Sequence, residues 1–534
     1  MTQQTEIFQA MARPEFYPQP VTKVDQRETH ISKVFLTGIY VYKIKKAVDL
    51  EFLDYTSLSK RKFYCEQETL LNRRLSHDIY MGVVAVTLAD GRYFLDGPGE
   101  VVEYAVKMRQ LPEQCAMVRL LRSGKMDRKT TAQLALKLAE FYGQTPTGEG
   151  INSYSAWETI RANCEENFRQ TDTFAGNILD DRMFQVIQAA TRSFLHRRKE
   201  LFKQRVNAGK IRDCHGDLRS GHIYFTDDIQ IIDCIEFDER FRYSDITSDL
   251  AFLVMDLDYE GFPKTARHLL DCYVRYADDP DVSVLIDFYK CYRAFVRAKV
   301  NCLRLAGNTL GDWEKRRLHR GTDRYLDLAY EYAILFTRPT IWVLCGMVAS
   351  GKSTIATELS RKLGIEVLRS DLIRKDLFGL QPDDFMDVPF EEGIYSKGAS
   401  SLTYGKLLML AQEEIAKGVS VILDATFSSE HQRSEALRLA RDMDANIIFI
   451  ECTPPIEVLK DRLLKREADV SVSDARIHHF KQFKNQFEPL EDITDEMHIR
   501  IDTQKPVKEN MAQILSHDYS LLSKVITAGP KDEL

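Results

Sequence analysis

A run of nine residues, Gly346–Thr354, has the residue types and spacing needed to hold nucleotide phosphates. It reads G-M-V-A-S-G-K-S-T and fits the pattern G-x-x-x-x-G-K-[ST]. The glycines let the backbone fold tightly, so that its N–H groups form an anion nest at a helix N-terminus. Lys352 is expected to reach the β- and γ-phosphates, and Ser353 to offer its hydroxyl to Mg²⁺. The predicted phosphate-binding residues are Gly346, Ser350, Gly351, Lys352, Ser353 and Thr354.

Polar residues follow the next two predicted strands and could surround this loop. Asp371 comes just after the strand Ile365–Leu368, at the carboxyl edge where α/β proteins place their sites. It is a candidate base for an acceptor hydroxyl, and Arg374, one helical turn on, could hold an anionic group of the substrate. The following strand ends in Asp424, a candidate Mg²⁺ ligand, although Asp371 could take that role instead. Thr426 is a candidate contact to the substrate or the γ-phosphate.

A later helix, V-L-K-D-R-L-L-K-R-E, carries Arg462 and Arg466 four residues apart and therefore on one face. Paired guanidinium groups over a nucleotide would neutralise the charge that develops during phosphoryl transfer. We therefore expect both arginines to be catalytic. The alternative is a surface helix with ordinary charges.

A second constellation lies in residues 214–233, which read C-H-G-D-L-R-S-G-H-I-Y-F-T-D-D-I-Q-I-I-D. Asp217 lies in a predicted loop, and Asp233 ends the apolar strand that follows it. Phosphoryl transfer uses such a pair, since one carboxylate accepts the proton of the attacking hydroxyl and the other holds Mg²⁺ on the phosphates. The sequence thus contains two separate sets of residues suited to the same chemistry.

The elements that must position these residues change in type along the chain. Residues up to about 25 are polar and predict an irregular arm, and residues 30–46 and 83–95 predict two β-hairpins with a helix between them. Long helical patterns dominate from about residue 114 to residue 336, with a β-rich interruption around Asp217. Beyond Arg338-Pro339 strands and helices alternate, which predicts an α/β domain with a parallel sheet.

Three segments of the first part resemble the aminoglycoside phosphotransferase family, whose fold is like that of protein kinases: H-G-D-L at 215–218, I-D at 232–233 and R-Y-S-D-I at 242–246. The resemblance covers about residues 25–335. It implies an α+β fold with a small β-rich lobe and a larger helical lobe, with Asp217 as the catalytic aspartate and Asp233 as the metal ligand.

The same resemblance implies a nucleotide-binding lysine that pairs with a helical glutamate. Lys43 and Glu68 are the predicted pair, with Lys45 and Glu66 as alternatives. His222 stands where the family has an asparagine that binds Mg²⁺. Mg²⁺ prefers oxygen ligands, so either His222 makes a weak metal site or a neighbour such as Glu236 or Asp238 supplies the oxygen.

The second part resembles the P-loop kinases related to polynucleotide kinase and zeta toxin over about residues 338–510. The matching pieces are the phosphate loop, S-D-L-I-R-K, L-D-A-T-F and R-x-x-x-R. By this resemblance Asp371 is the base, Arg374 the substrate anchor, and Arg462 and Arg466 the lid. The whole chain resembles bacterial fusions of the two kinase types. That implies ATP and Mg²⁺ but leaves the acceptor open, from small molecules to nucleotide or nucleic acid ends. A nucleotide-binding pseudokinase in the first part is the alternative.

Bulk properties bound the remaining possibilities. The 534 residues exceed one core, and the predicted division is an arm (1–25), a kinase-like domain (26–337), a P-loop domain (338–510) and a C-terminal helix and tail (511–534). A net charge of −7 argues against tight binding to long nucleic acid. The start lacks a signal-peptide pattern, no run reaches membrane length and no C-x-x-C occurs, so we expect a cytoplasmic protein without membrane partners. The terminal K-D-E-L is taken as coincidence.

Overall fold

The structure is a computed structural model that describes residues 3–50, 53–307, 310–382, 384, 392–468, 477–515 and 517, with the side chains of 466–468 outside the description. The chain forms two compact units, residues 1–163 with 205–277, and residues 164–204 with 278–534. Within the described ranges no helix is both long and apolar enough to cross a membrane. The predicted division at residue 338 does not coincide with the units, because 164–204 and 278–337 group with the phosphate-loop part. The predicted domain boundaries stay a prediction.

The elements are numbered here in chain order. The strands are β1 Asp25–Glu28, β2 Ser32–Leu36, β3 Tyr40–Lys45, β4 Asp49–Leu50, β5 Leu53–Asp54, β6 Tyr80–Ala89, β7 Arg92–Leu95, β8 Glu100–Arg109, β9 Ile211–Asp213, β10 Ile223–Phe225, β11 Ile229–Ile231, β12 Tyr243–Asp245, β13 Thr340–Cys345, β14 Glu366–Arg369, β15 Val421–Asp424, β16 Asn446–Cys452 and β17 His498–Ile501. The α-helices are α1 Gln3–Met11, α2 Leu58–Asn72, α3 Met117–Arg122, α4 Arg128–Gln144, α5 Glu149–Asn152, α6 Trp157–Thr171, α7 Asp181–Arg197, α8 Lys199–Asn207, α9 Glu239–Arg242, α10 Ile246–Tyr259, α11 Pro263–Ala277, α12 Val282–Ala306, α13 Asp312–Thr337, α14 Lys352–Leu363, α15 Ser370–Leu377, α16 Lys397–Ala416, α17 Glu430–Asp442, α18 Ile456–Ala468 and α19 Phe480–Gln486.

The first unit contains a six-stranded antiparallel sheet in the order β1-β2-β3-β8-β6-β7. Helix α2 packs on this sheet through Cys65, which is buried among Tyr80, Val106 and Met108. Because Cys65 and Glu68 lie three residues apart and so on one helix face, this packing also turns Glu68 toward the sheet. The β-rich lobe expected from the sequence is therefore present.

Residues 3–11 form helix α1, so the predicted irregular arm is wrong for this stretch. Ile7 and Met11, one turn apart, are buried in a cluster with Phe35, Tyr42 and other residues of the sheet. The stretch is too short and too polar to predict a stable helix by itself, and it gains its stability from packing two apolar side chains.

The second unit contains a five-stranded parallel sheet in the order β14-β15-β13-β16-β17, which confirms the predicted parallel sheet. Helix α16 covers one face, where Leu407, Ala411 and Ile415 are buried. Helix α14 and the helical residues 507–515 cover the other. All five strands run the same way, so their carboxyl ends meet at one edge with the phosphate loop. The predicted C-terminal tail beyond residue 517, including K-D-E-L, lies outside the described residues.

Candidate active sites

The phosphate loop connects the central strand β13 to helix α14, as the sequence pattern predicts. Gly346 has φ +129°, and a Cβ there would lie 2.7 Å from the carbonyl oxygen of Cys452. Gly351 has φ +94°, and a Cβ there would press on Thr503 at 3.1 Å. Both positions therefore require glycine, because the loop curls tightly between neighbouring strand ends.

Two side chains of this loop suit a bound phosphate. Lys352 is buried and its Nζ donates to the carbonyl oxygens of Gly346 (2.9 Å) and Met347 (2.8 Å), so the ammonium lies across the loop. The hydroxyl of Ser350 is buried and has no hydrogen-bond partner in the part of the chain that the structure describes. A buried unpaired hydroxyl is costly, and a phosphate oxygen would satisfy it. Ser353 and Thr354 lie exposed in the first turn of α14.

Two carboxylates lie near the lysine. Burial lowers the pKa of Lys352, while Asp424 and then Asp371 act to raise it, which places both carboxylates within electrostatic reach of Nζ. Asp424 is buried at the end of β15, with its Oδ2 3.8 Å from the Nε of Arg369. Among the described residues no cluster of three or more His, Cys, Asp or Glu could hold a metal. Nucleotide-bound Mg²⁺ takes only one or two protein ligands, so Ser353 with Asp424 fits it.

Helix α15 supplies the predicted acceptor side. Arg374 is 6% exposed, and its Nη1 donates to the carbonyl of Ile394 (2.8 Å) and to the hydroxyl of Ser400 (3.3 Å). Its Nε is buried without a hydrogen-bond partner, and no carboxylate of the described residues forms an ion pair with it. Asp371, three residues earlier, lies in the first turn of the same helix. The helix thus carries a carboxylate and a guanidinium that has no carboxylate partner among the described residues.

Tyr404 joins this side and carries no motif that sequence reasoning could have found. Its hydroxyl lies 3.0 Å from Oγ1 of Thr426 and accepts from the N–H of Phe427 at 3.1 Å. Burial raises the pKa of Tyr404, which is also within electrostatic reach of Arg374 and Asp371. The buried tyrosine therefore contacts Thr426 directly, on the side of the site where Asp371 and Arg374 also lie.

Arg462 lies against the phosphate loop. Its Nη1 donates to the carbonyl of Ala349 (3.3 Å) and to Oγ1 of Thr503 (3.0 Å), and its Nη2 donates to the Thr503 carbonyl (2.9 Å). Thr503 in turn donates its hydroxyl proton to the carbonyl of Ser350 at 2.6 Å. Sequence reasoning missed Thr503, which follows β17 and belongs to no motif. The side chain of Arg466 lies outside the described residues.

In the first unit, Lys43 on β3 makes the predicted pair with Glu68 of α2, at 2.8 Å. Its Nζ also donates to Oδ1 of Asp233 at 2.7 Å. Lys43 therefore binds both the predicted helical glutamate and the predicted metal ligand. Lys45, the alternative, is fully buried and binds the other oxygen of Glu68 at 2.8 Å and the carboxylate of Glu236. Glu66 is exposed, and its one ion pair among the described residues is with Lys62, at 3.8 Å.

Asp233 has a left-handed backbone, with φ +67°, which is uncommon for a residue other than glycine and occurs at functional positions. Burial acts to raise the pKa of Asp233, but Lys43 and His222 outweigh it and hold that pKa well below its usual range. Its carboxylate is therefore ionised at neutral pH, as a metal ligand must be.

Asp217 is held by its own loop. Nε and Nη2 of Arg219 bind its two oxygens at 2.9 and 2.7 Å, and Nη2 also donates to Nε2 of His222 at 3.0 Å. Burial and the Arg219 charge lower the pKa of His222. Nδ1 of this neutral ring donates to the backbone carbonyl of Asp217 at 3.0 Å. The Nε2 lone pair that a metal would use is thus engaged by Arg219.

The two alternative metal ligands near His222 are also engaged. Glu236 binds Lys45 and accepts from the hydroxyl of Tyr55 at 2.8 Å. Asp238 caps helix α9 and binds Arg240 at 3.0 Å. Asp233 lies closer to the metal-facing nitrogen of His222, with its Oδ2 3.7 Å from Nε2.

Helix α10 fixes the Asp217 loop through two aspartates that sequence reasoning missed. Asp249, fully buried, accepts from the N–H groups of His215 (2.9 Å) and Gly216 (2.8 Å) and from the Tyr142 hydroxyl (2.9 Å). Asp256 accepts from the N–H of Ser220 at 2.8 Å. The available signal was two aspartates seven residues apart, on one face of a helix whose residues 250–255 are all apolar.

Comparisons with known proteins match the segment of the phosphate loop and the chain as a whole. A protein-family model described as an AAA domain matches residues 341–490, the segment from the phosphate loop to the lid. Uncharacterized proteins of Mycobacterium bovis and Mycobacterium tuberculosis are 28% identical over 462 residues, covering 86% of this chain and 90% of each relative.

Solved structures are more distant. A choline/ethanolamine kinase family protein from Mesorhizobium loti is 13% identical with a TM-score of 0.35, covering 61% of this chain and 99% of that one. A gluconokinase from Sinorhizobium meliloti is 16% identical with a TM-score of 0.26, covering 36% and 98%. The Mycobacterium tuberculosis APS kinase is 19% identical with a TM-score of 0.26, covering 34% and 97%. These TM-scores are too low to assign an activity, so the site residues must indicate it.

Proposed function

We propose that this chain is a cytoplasmic, ATP-dependent phosphotransferase whose second unit moves the γ-phosphate of ATP to a hydroxyl group. The proposal rests on one observation: the glycine loop holds Lys352 at the same edge of the parallel sheet as two carboxylates. Asp424 ends the strand that pairs with both β13 and β14, and Asp371 lies in the first turn of the helix that follows β14. A phosphate-binding lysine, a metal-binding carboxylate and a carboxylate for the acceptor are the groups that this transfer uses. An NTPase switch that activates only water would not need Asp371 beside the substrate anchor.

The site residues of the second unit each have a proposed role. The loop N–H groups, Ser350 and Lys352 bind the β- and γ-phosphates. Ser353 and Asp424 hold Mg²⁺, which supplies charge neutralisation on the phosphate oxygens. Asp371 accepts the hydroxyl proton as the acceptor oxygen bonds to the γ-phosphorus and the bond from that phosphorus to the bridging oxygen of ADP breaks.

Arg374 supports an acceptor that carries an anionic group. A guanidinium that is 6% exposed and lacks a carboxylate partner among the described residues is costly to bury. A phosphate, sulfate or carboxylate on the acceptor would pair with it, one helical turn from the proposed base. Thr426, held by Tyr404, would orient the hydroxyl or the γ-phosphate. Small molecules and nucleotide or nucleic acid ends all fit this description.

The two lid arginines have different proposed roles. Arg462 binds the loop carbonyl of Ala349 and both polar groups of Thr503, so it acts by fixing the shape of the loop. Arg466, four residues later in the same helix, is left to neutralise the transferred phosphate.

For the first unit we propose a second phosphotransferase site, with Lys43 on the nucleotide phosphates, Asp233 on Mg²⁺ and Asp217 as the base. A second candidate is nucleotide binding without transfer, which Arg219 favours. A carboxylate that a guanidinium binds at both oxygens is a poor proton acceptor, and the same guanidinium occupies His222. Such a pseudokinase would regulate the second unit.

The test uses the full chain with labelled ATP and a panel of metabolites and oligonucleotides. Lys352→Ala should abolish transfer to the acceptor of the second unit, whereas Lys465→Ala, which changes an exposed lysine of the lid helix, should not. If Asp217→Asn removes transfer to a second acceptor, the first unit is an enzyme. If Asp217→Asn leaves every transfer reaction unchanged, the pseudokinase hypothesis is correct. Release of phosphate only to water, with no phosphorylated acceptor, would refute the phosphotransferase proposal.

A further inference from the structure

The first turns of helix α13 carry an exposed face that neither phosphotransferase site uses. Trp313 is 65% exposed, and Arg316, Arg317 and Arg320 are exposed beside it. At 3.6 residues per turn these four side chains fall within about 100° of the helix circumference. We call this set the arginine stripe.

The three arginines of the stripe have no carboxylate partner in the part of the chain that the structure describes. The acidic residue nearest in sequence, Glu314, is bound by Arg304 at 2.6 Å. Arg317 lies over the indole ring of Trp313, with its Cζ 5.3 Å from the ring centroid. Arg316 and Arg317 lie four and three residues from Arg320, and like charges at these spacings repel, so the three arginines do not stabilise the helix through one another.

Composition does not account for such a surface. The chain as a whole has a net charge of −7, so three neighbouring exposed arginines run against its overall charge. Trp313 adds a large flat ring beside these charges, and Arg317 leaves most of that ring exposed. Both features are explained together if the stripe binds an anion that also has flat aromatic groups.

We propose that the arginine stripe binds a single strand of nucleic acid, independently of both phosphotransferase sites. Guanidinium groups match phosphate geometry, and an exposed tryptophan stacks on an unpaired base. From Trp313 to Arg320 the helix rises about 10 Å at 1.5 Å per residue. That length spans roughly three nucleotides at about 3.4 Å each. A duplex would hide its base faces from Trp313, and an acidic polypeptide would leave the indole without a partner.

The test measures binding of labelled 12-nucleotide uridine and thymidine strands to the full chain by fluorescence anisotropy, between 50 and 200 mM salt. The stripe variant R316A/R317A/R320A should bind at least tenfold more weakly, and its salt dependence should lose a slope of about 2, from three phosphates at about 0.7 each. Trp313→Ala should weaken binding about tenfold, while Trp313→Phe should retain most of it because a ring remains. The matched control R169A/R182A/R441A removes three exposed arginines elsewhere and should bind like the wild type.

Three outcomes would overturn the proposal. Wild-type protein could fail to bind either strand at 50 mM salt, or the control variant could lose as much affinity as the stripe variant. Poly-glutamate could also displace the strand at equal charge without quenching Trp313 fluorescence, which would make the stripe a surface for acidic polypeptides. The R316K/R317K/R320K variant keeps the charge and the fold. Affinity between the wild type and the alanine variant would support recognition by the guanidinium forks.

Discussion

Replacing Lys45 by methionine should destabilise the first unit far more than the same change at Lys43. Both lysines bind Glu68, but their surroundings differ. Lys45 is completely buried, and its two carboxylate partners, Glu68 and Glu236, are at most 5% exposed. Lys43 is 14% exposed and its second partner, Asp233, is 45% exposed, so water can reach that carboxylate.

The magnitude follows from what each change leaves behind. Removing one partner of a buried ion pair costs about 3–5 kcal/mol, because an uncompensated charge remains. K45M leaves Glu236 buried without its lysine. In K43M, Glu68 keeps Lys45 and Asp233 is hydrated, so we expect a loss of roughly 1 kcal/mol. For a unit of this size 1 kcal/mol moves Tm by about 2–4 °C, which predicts a fall of roughly 6–20 °C for K45M and a few degrees for K43M.

Calorimetry of the full chain measures the transition of the first unit, and titration with an ATP analogue measures binding. K43M should lose nucleotide binding at the site of the first unit and keep it at the phosphate loop, while its melting changes little. The double variant K45M/E236Q removes the stranded charge and should recover part of the lost stability. Two results would contradict this reasoning: a K45M protein that melts within 2 °C of the wild type, or a K43M protein that melts at a lower temperature than K45M. Either would show that burial of the ion pair does not determine how much it stabilises the unit.

Three further predictions concern other parts of the molecule. Gly346→Ala should abolish nucleotide binding at the site of the second unit, since its Cβ would lie 2.7 Å from a strand carbonyl, whereas Gly405→Ala in helix α16 has open space and should leave both sites bound in the same titration. Asp249→Asn should raise hydrogen exchange at the His215 and Gly216 amides about tenfold or more, by loss of roughly 1.5–3 kcal/mol per charged hydrogen bond, while Tyr142→Phe should affect them much less. Burial acts to raise the pKa of Glu451, but His498 and Arg500 outweigh it and lower that pKa. The carboxylate therefore stabilises the fold at pH values above its unfolded pKa near 4.5 and loses this contribution as the pH falls below that value. The difference in urea midpoint between the wild type and Glu451→Gln should therefore become smaller as the pH is lowered. A difference that does not change with pH would contradict the prediction.

Local pattern was enough to predict the phosphate loop, its flanking strand and helix, and the parallel sheet. Those features depend on residues close in sequence: the glycines set the loop, and apolar runs of strand length set the sheet. Helix α1 could not be predicted because only two of its residues, Ile7 and Met11, form its buried apolar face. That face is recognisable only when the sheet that it covers is present.

The site residues show the same limit at longer range. Sequence named Lys43 with Lys45 as an alternative, and both contact Glu68, so the residue types alone could not separate them. Their difference lies in Asp233 and Glu236, which are 190 and 191 residues away and approach only in the folded unit.

The sequence by itself therefore determined which chemistry this protein can support: a loop that binds phosphates, and carboxylates spaced for metal binding and proton transfer. Tertiary structure alone decided how free those groups are. Arg219 binds both oxygens of Asp217, Arg462 fixes the phosphate loop, and Arg374 is buried without an acidic partner among the described residues. The physical reason is that residue type sets the charge of a group, whereas its reactivity depends on burial and on neighbours that only the fold brings near.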